Sequence, residues 1–146
     1  MKHNTTTLLR FLKTGKLGSI QPGMTDDTLL NYMGDPDSQK TNSWGECDYY
    51  YPGLHLGTEE RRVTSIIVHT QDFPERDLPM QLGDGWFGQM YMMQLMDVST
   101  LLHGANMVHS LQSHTIMLDI NVFTFLFYFM RDGYFSELVY RDTKYF

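Results

Sequence analysis

Cys47 is the only cysteine in a chain of 146 residues. No internal disulfide can form, which fits a reducing compartment. A chain of this length buries roughly 70% of its unfolded surface and needs neither disulfide nor metal to fold. The longest apolar stretch, Val122–Met130, is too short to cross a bilayer as a helix. The opening Met1-Lys2-His3-Asn4-Thr5-Thr6-Thr7 lacks the apolar run of a secretory signal, so a cytoplasmic location is expected. Basic residues are scarce in one region: Asp77 through Met130 holds no Lys or Arg, yet contains Asp77, Asp84, Asp97 and Asp119. Binding nucleic acid needs a cationic footprint on the phosphates, and a chain of net charge −6 offers none. A basic protein is the better partner, with the acidic charge acting mainly on the rate of encounter.

Catalytic signatures are missing as well. There is no Gly-x-Ser-x-Gly elbow and no phosphate loop. Gly83-Asp84-Gly85-Trp86-Phe87-Gly88 is glycine-rich, but no Lys adjoins it, so it reads as a turn. Glu59-Glu60 sits beside Arg61-Arg62 and reads as a solvated hairpin tip. The spacing of His103, His109 and His114 is not that of a helical zinc site, and no Cys or Glu completes a set. No enzyme activity and no cofactor are expected.

What is abundant is soft and aromatic: 11 Met, 9 Tyr, 9 Phe and 2 Trp, enough to fill an irregular core or to build a binding face. Thr5–Thr14 predicts a first helix, with Leu8, Leu9, Phe11 and Leu12 on one side and Gly15 as its stop. Thr25 predicts the N-cap of a second, with Asp26 and Asp27 at the positive end of its dipole. Gly34 and Pro36 close it. Residues 35–43 are polar and rich in turn formers. Strands follow at Trp44–Tyr51, from Leu54, and at Val63–Thr70, with a polar turn at Gly57–Arg62.

The same order then returns. Asp97 predicts a cap for a helix to about His103, His114–Ile120 a strand, and Phe123–Met130 a central strand covered on both faces. Asp132-Gly133 predicts a type I′ hairpin, and Phe135–Arg141 the returning strand. Laying the second half on the first puts Thr25 on Asp97 and Leu29-Leu30 on Leu101-Leu102. A slip of one residue puts Leu54 and Leu56 on Phe125 and Phe127, and Ser65 and Val68 on Ser136 and Val139. The expectation is an α+β fold in a single domain of two similar halves, each a short helix followed by antiparallel strands. The halves span about 1–72 and 89–146, joined by a loop over about 73–88.

That loop and its flanks carry the candidate partner-binding residues Asp72, Glu75, Asp77, Asp84, Trp86, Phe87 and Tyr91. Acidic side chains would steer a basic partner, and aromatic ones would anchor it. Tyr49-Tyr50-Tyr51 places rings on both faces of its strand, so at least one face is not ordinary solvent surface; core packing or sheet stacking is the expected cover, and a partner surface the alternative. Two other readings compete: a small-ligand or metal-binding protein using a cleft between the halves near His103, His109 and His114, and a scaffold that self-associates through its sheet.

Leu17-Gly18-Ser19-Ile20-Gln21-Pro22-Gly23-Met24-Thr25 and Tyr32-Met33-Gly34-Asp35-Pro36 resemble the Gly-Met-Thr turn and Gly-x-Pro helix end of the lipoprotein in the β-barrel assembly machinery. That family begins with a lipoprotein signal and an acylated Cys, absent here, so the resemblance implies a related helix-and-strand unit rather than the same role. The same motif, followed by Trp44–Tyr51 and Leu54-His55-Leu56, is similar to small bacterial immunity proteins of polymorphic and contact-dependent toxin systems. That resemblance implies a non-enzymatic chain whose partner is a cognate toxin domain, a nuclease among the candidates. It would neutralise the toxin by occluding its active or substrate-binding surface.

Overall fold

The β-branched Thr5 and Thr6 favour extended backbone over helix. In the computed structural model, which describes residues 4–6, 8–69, 80–82, 92–120 and 123–142, they belong to a strand, β1 (Asn4–Thr6). The first helix, α1 (Leu8–Thr14), therefore starts later than its pattern predicts. It stops at Gly15, whose N–H donates to the Phe11 carbonyl at 2.8 Å with φ of 71°. A side chain at Gly15 would run into the Tyr140 ring. β1 pairs in parallel with β6 (Met80–Leu82), inside the stretch expected to be a loop.

Helix α2 (Asp26–Met33) is punctuated as expected. Thr25 Oγ1 accepts from the Thr28 N–H at 3.3 Å, and Gly34, at φ 79°, donates to the Leu30 carbonyl. Helix α3 (Leu95–Gly104) begins before the cap predicted for it. Gln94 is its N-cap, and Asp97 lies inside the first turn, where its Oδ2 accepts the Gln94 N–H at 2.9 Å. An acidic residue in the first turn serves the helix as well as one at the cap, because both satisfy orphan donors.

The strands β2 (Ser38–Thr41), β3 (Cys47–Tyr51), β4 (Leu54–Glu59) and β5 (Arg62–His69) form one antiparallel meander, and β7 (Ser110–Gln112), β8 (Thr115–Ile120), β9 (Phe123–Phe129) and β10 (Phe135–Asp142) another. They join through β5 and β10 into one eight-stranded sheet of order β2-β3-β4-β5-β10-β9-β8-β7. Helices and antiparallel strands together give an α+β fold in which strand predominates. The two outermost strands, β2 and β7, lay hidden in the sequence because they are short and wholly polar or exposed. Trp44 falls in the β2–β3 turn and is 82% exposed, not on the strand predicted for it.

The registers of the two meanders match. Leu54 faces Val68 and Leu56 faces Ile66 in one; Phe125 faces Tyr140 and Phe127 faces Leu138 in the other. Each returning strand carries an extra residue at the same point, Thr64 in β5 and Ser136 in β10. Val68 thus corresponds to Tyr140, not to Val139 as sequence matching had it. The slip comes from the hairpin turns. Glu60 and Arg61 make a two-residue turn with both φ positive, 50° and 63°, as a type I′ turn requires. The Asp132-Gly133 turn is the other kind: Gly133 donates to the Met130 carbonyl, and left-handed Gly133 adds a residue.

All three helices bury their apolar residues on one face of the sheet. Leu8, Phe11, Leu12, Leu29, Met33, Val98 and Leu102 share a core with Tyr49, Tyr51, Leu56, Ile66, Ile116, Phe127 and Tyr140. Phe11 meets Phe125 edge-on at 5.2 Å and Tyr140 at 5.5 Å, so α1 sits over strands of the other meander. Removing the Phe127 ring should cost about 3–5 kcal/mol through lost burial and a cavity, read as a lower urea midpoint for Phe127→Ala. Burial pushes the Tyr49 phenol well above its ordinary value, with neighbouring Cys47, Asp26 and Tyr51 adding to the effect. The unfolded chain releases that proton near pH ~10 while the folded one holds it, so the stability linked to Tyr49 falls as pH rises beyond that point. Tyr49→Phe should flatten this alkaline loss of stability in unfolding curves taken across the range.

Candidate interaction face

Alternation along each strand sends the remaining side chains to the sheet's other face, on which none of the described helices packs. One row crosses all eight strands: Ser38, Tyr50, His55, Ile67, Val139, Leu126, Met117 and Ser110 each stand opposite the next. Val139 is buried, its neighbours Ile67, Leu126 and Met117 are half-buried, and the two serines are exposed. The strand Phe123–Phe129, expected to be covered on both sides, thus has Phe125, Phe127 and Phe129 in the core and half-buried Leu126 and Tyr128 opposite. The three tyrosines divide likewise: Tyr49 and Tyr51 are core, and Tyr50 stacks on His55 with centroids 4.4 Å apart.

Two histidine–carboxylate pairs flank the row. His55 Nε2 lies 3.5 Å from Asp48 Oδ1, and His69 Nδ1 lies 3.3 Å from Glu137 Oε2. His55 and His69 do not face each other, because His55 stands opposite Ile67. Between Asp48 and Ser65 sits Gly57, where a Cβ would collide with Ser65 Oγ. The corresponding position in the second meander carries Tyr128. Along the row itself, Tyr50 and His55 in the first meander make a stacked polar pair where Met117 and Leu126 in the second make an apolar one.

The helix-side histidines behave differently. His103 and His109, with Asn106, Met107 and Val108, line an open cleft of about 450 Å³ at the end of α3. These residues all come from the second half, not from a junction between halves. His109 is a strut: its Nδ1 lies 2.9 Å from the Met107 carbonyl, which can only accept, so Nε2 accepts from the Ser99 hydroxyl at 2.7 Å. Both ring nitrogens are thereby engaged. His114 is exposed in the β7–β8 turn. Among the described residues no three His, Cys, Asp or Glu side chains are grouped to hold a metal ion. Also among them, no helix is long and apolar enough to cross a membrane.

The sequence-derived candidates Asp72, Glu75, Asp77, Asp84, Trp86, Phe87 and Tyr91 lie outside the described residues. The face itself was missed, although the half-polar alternation of Asp48-Tyr49-Tyr50-Tyr51 was a signal for it. Cys47 is a strand residue as expected, with the Thr41 hydroxyl donating to its sulfur at 3.3 Å. The tip at Glu59–Arg62 is more than solvated, since Arg61 reaches Asp26 and Asp27 of α2 at 3.3 Å each. That hydrogen bond to Asp26, with the charges of both carboxylates, pushes the Arg61 guanidinium further up.

No protein-family model matches the sequence, and no curated protein does. A crystal structure of an extracellular protein containing a SCP domain, from Bacillus anthracis str. Ames, is similar in fold, with a TM-score of 0.57 and 12% identity. The likeness covers 99% of this chain and 48% of that one, so this chain spans about half the length of that solved protein. At such identity the resemblance is one of fold alone. If His109 is a strut, Ser99→Ala should destabilise the protein by about 0.5–1.5 kcal/mol, measured by urea unfolding.

Proposed function

We propose that this chain is a non-enzymatic immunity protein of the cytoplasm. It binds a cognate bacterial toxin domain and neutralises it by covering the toxin's active or substrate-binding surface. The observation that carries the reading is the apolar run of Ile67, Val139, Leu126 and Met117 across the sheet face on which none of the described helices packs. A broad surface of rigid strands, with Ile67, Leu126 and Met117 at its middle and Tyr50 to one side, suits a protein partner better than a small molecule. Tyr is among the residue types that concentrate binding energy in such interfaces, and the polar rim of Ser38, Asp48, Glu137 and Ser110 is the usual surround. An acidic chain accelerates encounter with a basic toxin.

The matching meanders support a further element of the same proposal, that the chain arose by tandem duplication of one helix-and-meander unit. Two copies joined edge to edge double the width of the free face and allow its halves to specialise. Tyr50 and His55 correspond to Met117 and Leu126, giving one polar and one apolar half.

Capture from a lysate of the native host tests the reading, with Ile67→Ser/Leu126→Ser as the matched control. Recovery of one basic, toxin-sized protein at near-equal stoichiometry is expected, and a drop of about tenfold or more with the control variant. The captured protein should arrest growth when expressed alone and be harmless with this chain present. Equal capture by both baits would remove the free face as the binding surface.

A further inference from the structure

Helix α3 ends in a reversal. The Ala105 N–H donates to the Leu101 carbonyl at 3.0 Å, and Asn106, at φ 59°, takes the left-handed conformation that Asn tolerates better than most residues. The Met107 N–H then donates back to the Leu102 carbonyl at 2.9 Å, and the returning chain brings His109 to Ser99. The two side chains are ten residues apart in sequence and 2.7 Å apart in space.

This pair has a direction. The Met107 carbonyl accepts from His109 Nδ1 at 2.9 Å, which places the ring proton there and leaves the Nε2 lone pair for the Ser99 hydroxyl. A hydroxyl on the basic nitrogen of an imidazole whose other nitrogen is held by an acceptor is the arrangement that activates a serine. The base meets the nucleophile, and a third group fixes the tautomer. Ser99 and His109 are both half-buried, neither sealed in the core nor fully hydrated. His109 also lines the open cleft of about 450 Å³ at the helix end, which gives a small molecule a route to the pair.

We infer that Ser99 is a nucleophile that takes the acyl group of a small activated ester, with His109 as its base. The Ser99 Oγ bonds to the acyl carbon while its proton passes to Nε2; the ester C–O bond breaks, and the alcohol leaves with that proton. Met107 and Val108 give the cleft an apolar wall for the acyl group, and His103 and Asn106 a polar one. The reaction stops at the acyl-serine. Turnover needs N–H groups aimed at the developing oxyanion. Here the Ser99 N–H belongs to the ladder of α3, while those of Asn106 and Met107 donate to the His103 and Leu102 carbonyls. A covalent site that fills once is compatible with a binding protein, and it depends neither on the sheet face nor on a partner.

The test treats the full wild-type chain with p-nitrophenyl acetate. It reads p-nitrophenolate release and, by peptide mass spectrometry, which residue carries the acetyl group. Release of one equivalent is expected, with the acetyl group on Ser99. Ser43 and Ser110, both exposed and neither hydrogen-bonded to a histidine among the described residues, are internal controls and should react about a hundredfold more slowly. His109→Gln should slow Ser99 to the level of those controls, and Ser99→Ala should abolish the burst, with far-UV circular dichroism checking that each variant folds. A purely structural hydrogen bond would leave Ser99 no more reactive than Ser43 and Ser110, and that result in the wild type overturns the inference without recourse to a variant. It is overturned equally if the acetyl groups are confined to lysines, or if His109→Gln reacts as fast as wild type.

Discussion

Everything in this fold depends on the pairing of β5 with β10. Five residue pairs, from Glu137 with His69 to Arg141 with Ser65, turn two four-stranded meanders into one sheet. Without that seam each meander would expose its longest strand as an open edge. On the core face the seam brings Val68 against Leu138 and Ile66 against Tyr140, all fully or almost fully buried. On the other face it sets Ile67 against Val139, which correspond to each other in the two meanders. The local axis of the repeat thus passes between them. Strands so distant in the chain must close a long loop before the seam rewards them, so local hairpins should form first and the seam later.

Helix α1 makes the seam a joint property of both halves. It precedes the first meander, yet Phe11 packs against Phe125 and Tyr140 of the second. Phe125 and Tyr140 themselves lie 4.8 Å apart, giving a three-ring cluster beneath the centre of the sheet. Because every described helix contributes to this one layer, the opposite face is left to strand side chains, of which Val139 is buried and Ile67, Leu126 and Met117 are half-buried. That is where the two meanders differ, with Gly57 in one at the position of Tyr128 in the other and His55 at that of Leu126.

Much of this was legible in the residues. The cap, stop and first-turn acids of α2 were readable because Thr25, Asp26, Asp27 and Gly34 each act within a few residues of themselves. The strands β4, β5 and β9 themselves were readable for the same reason, although β9 alternates between core and half-buried side chains where its pattern predicted cover on both faces. What failed were features set by distant partners. Thr5 and Thr6 went to a strand because Met80–Leu82 lies alongside. Ser38–Thr41 and Ser110–Gln112 are strands only because β3 and β8 offer an edge to them. The correspondence of Val68 with Tyr140 depended on a turn whose extra residue no alternation pattern reveals. The make-up of the sheet's second face was not legible, because exposure is a result of packing and the chain pattern shows only which residues prefer to be buried.

Both outermost strands are brief, three and four residues, and every one of their side chains is exposed. Lys40 stands in one of them. Such margins give a wandering β-segment little to template on: too few ladder positions to hold it, and a charge that a stacking neighbour would have to desolvate. A six-stranded sheet that stopped at β3 and β8 instead would present Tyr49, Tyr51, Ile116 and Leu118 at its rims and invite fibre growth. The polar hems that look dispensable for affinity or folding are guards against edge-to-edge stacking in so aromatic a chain.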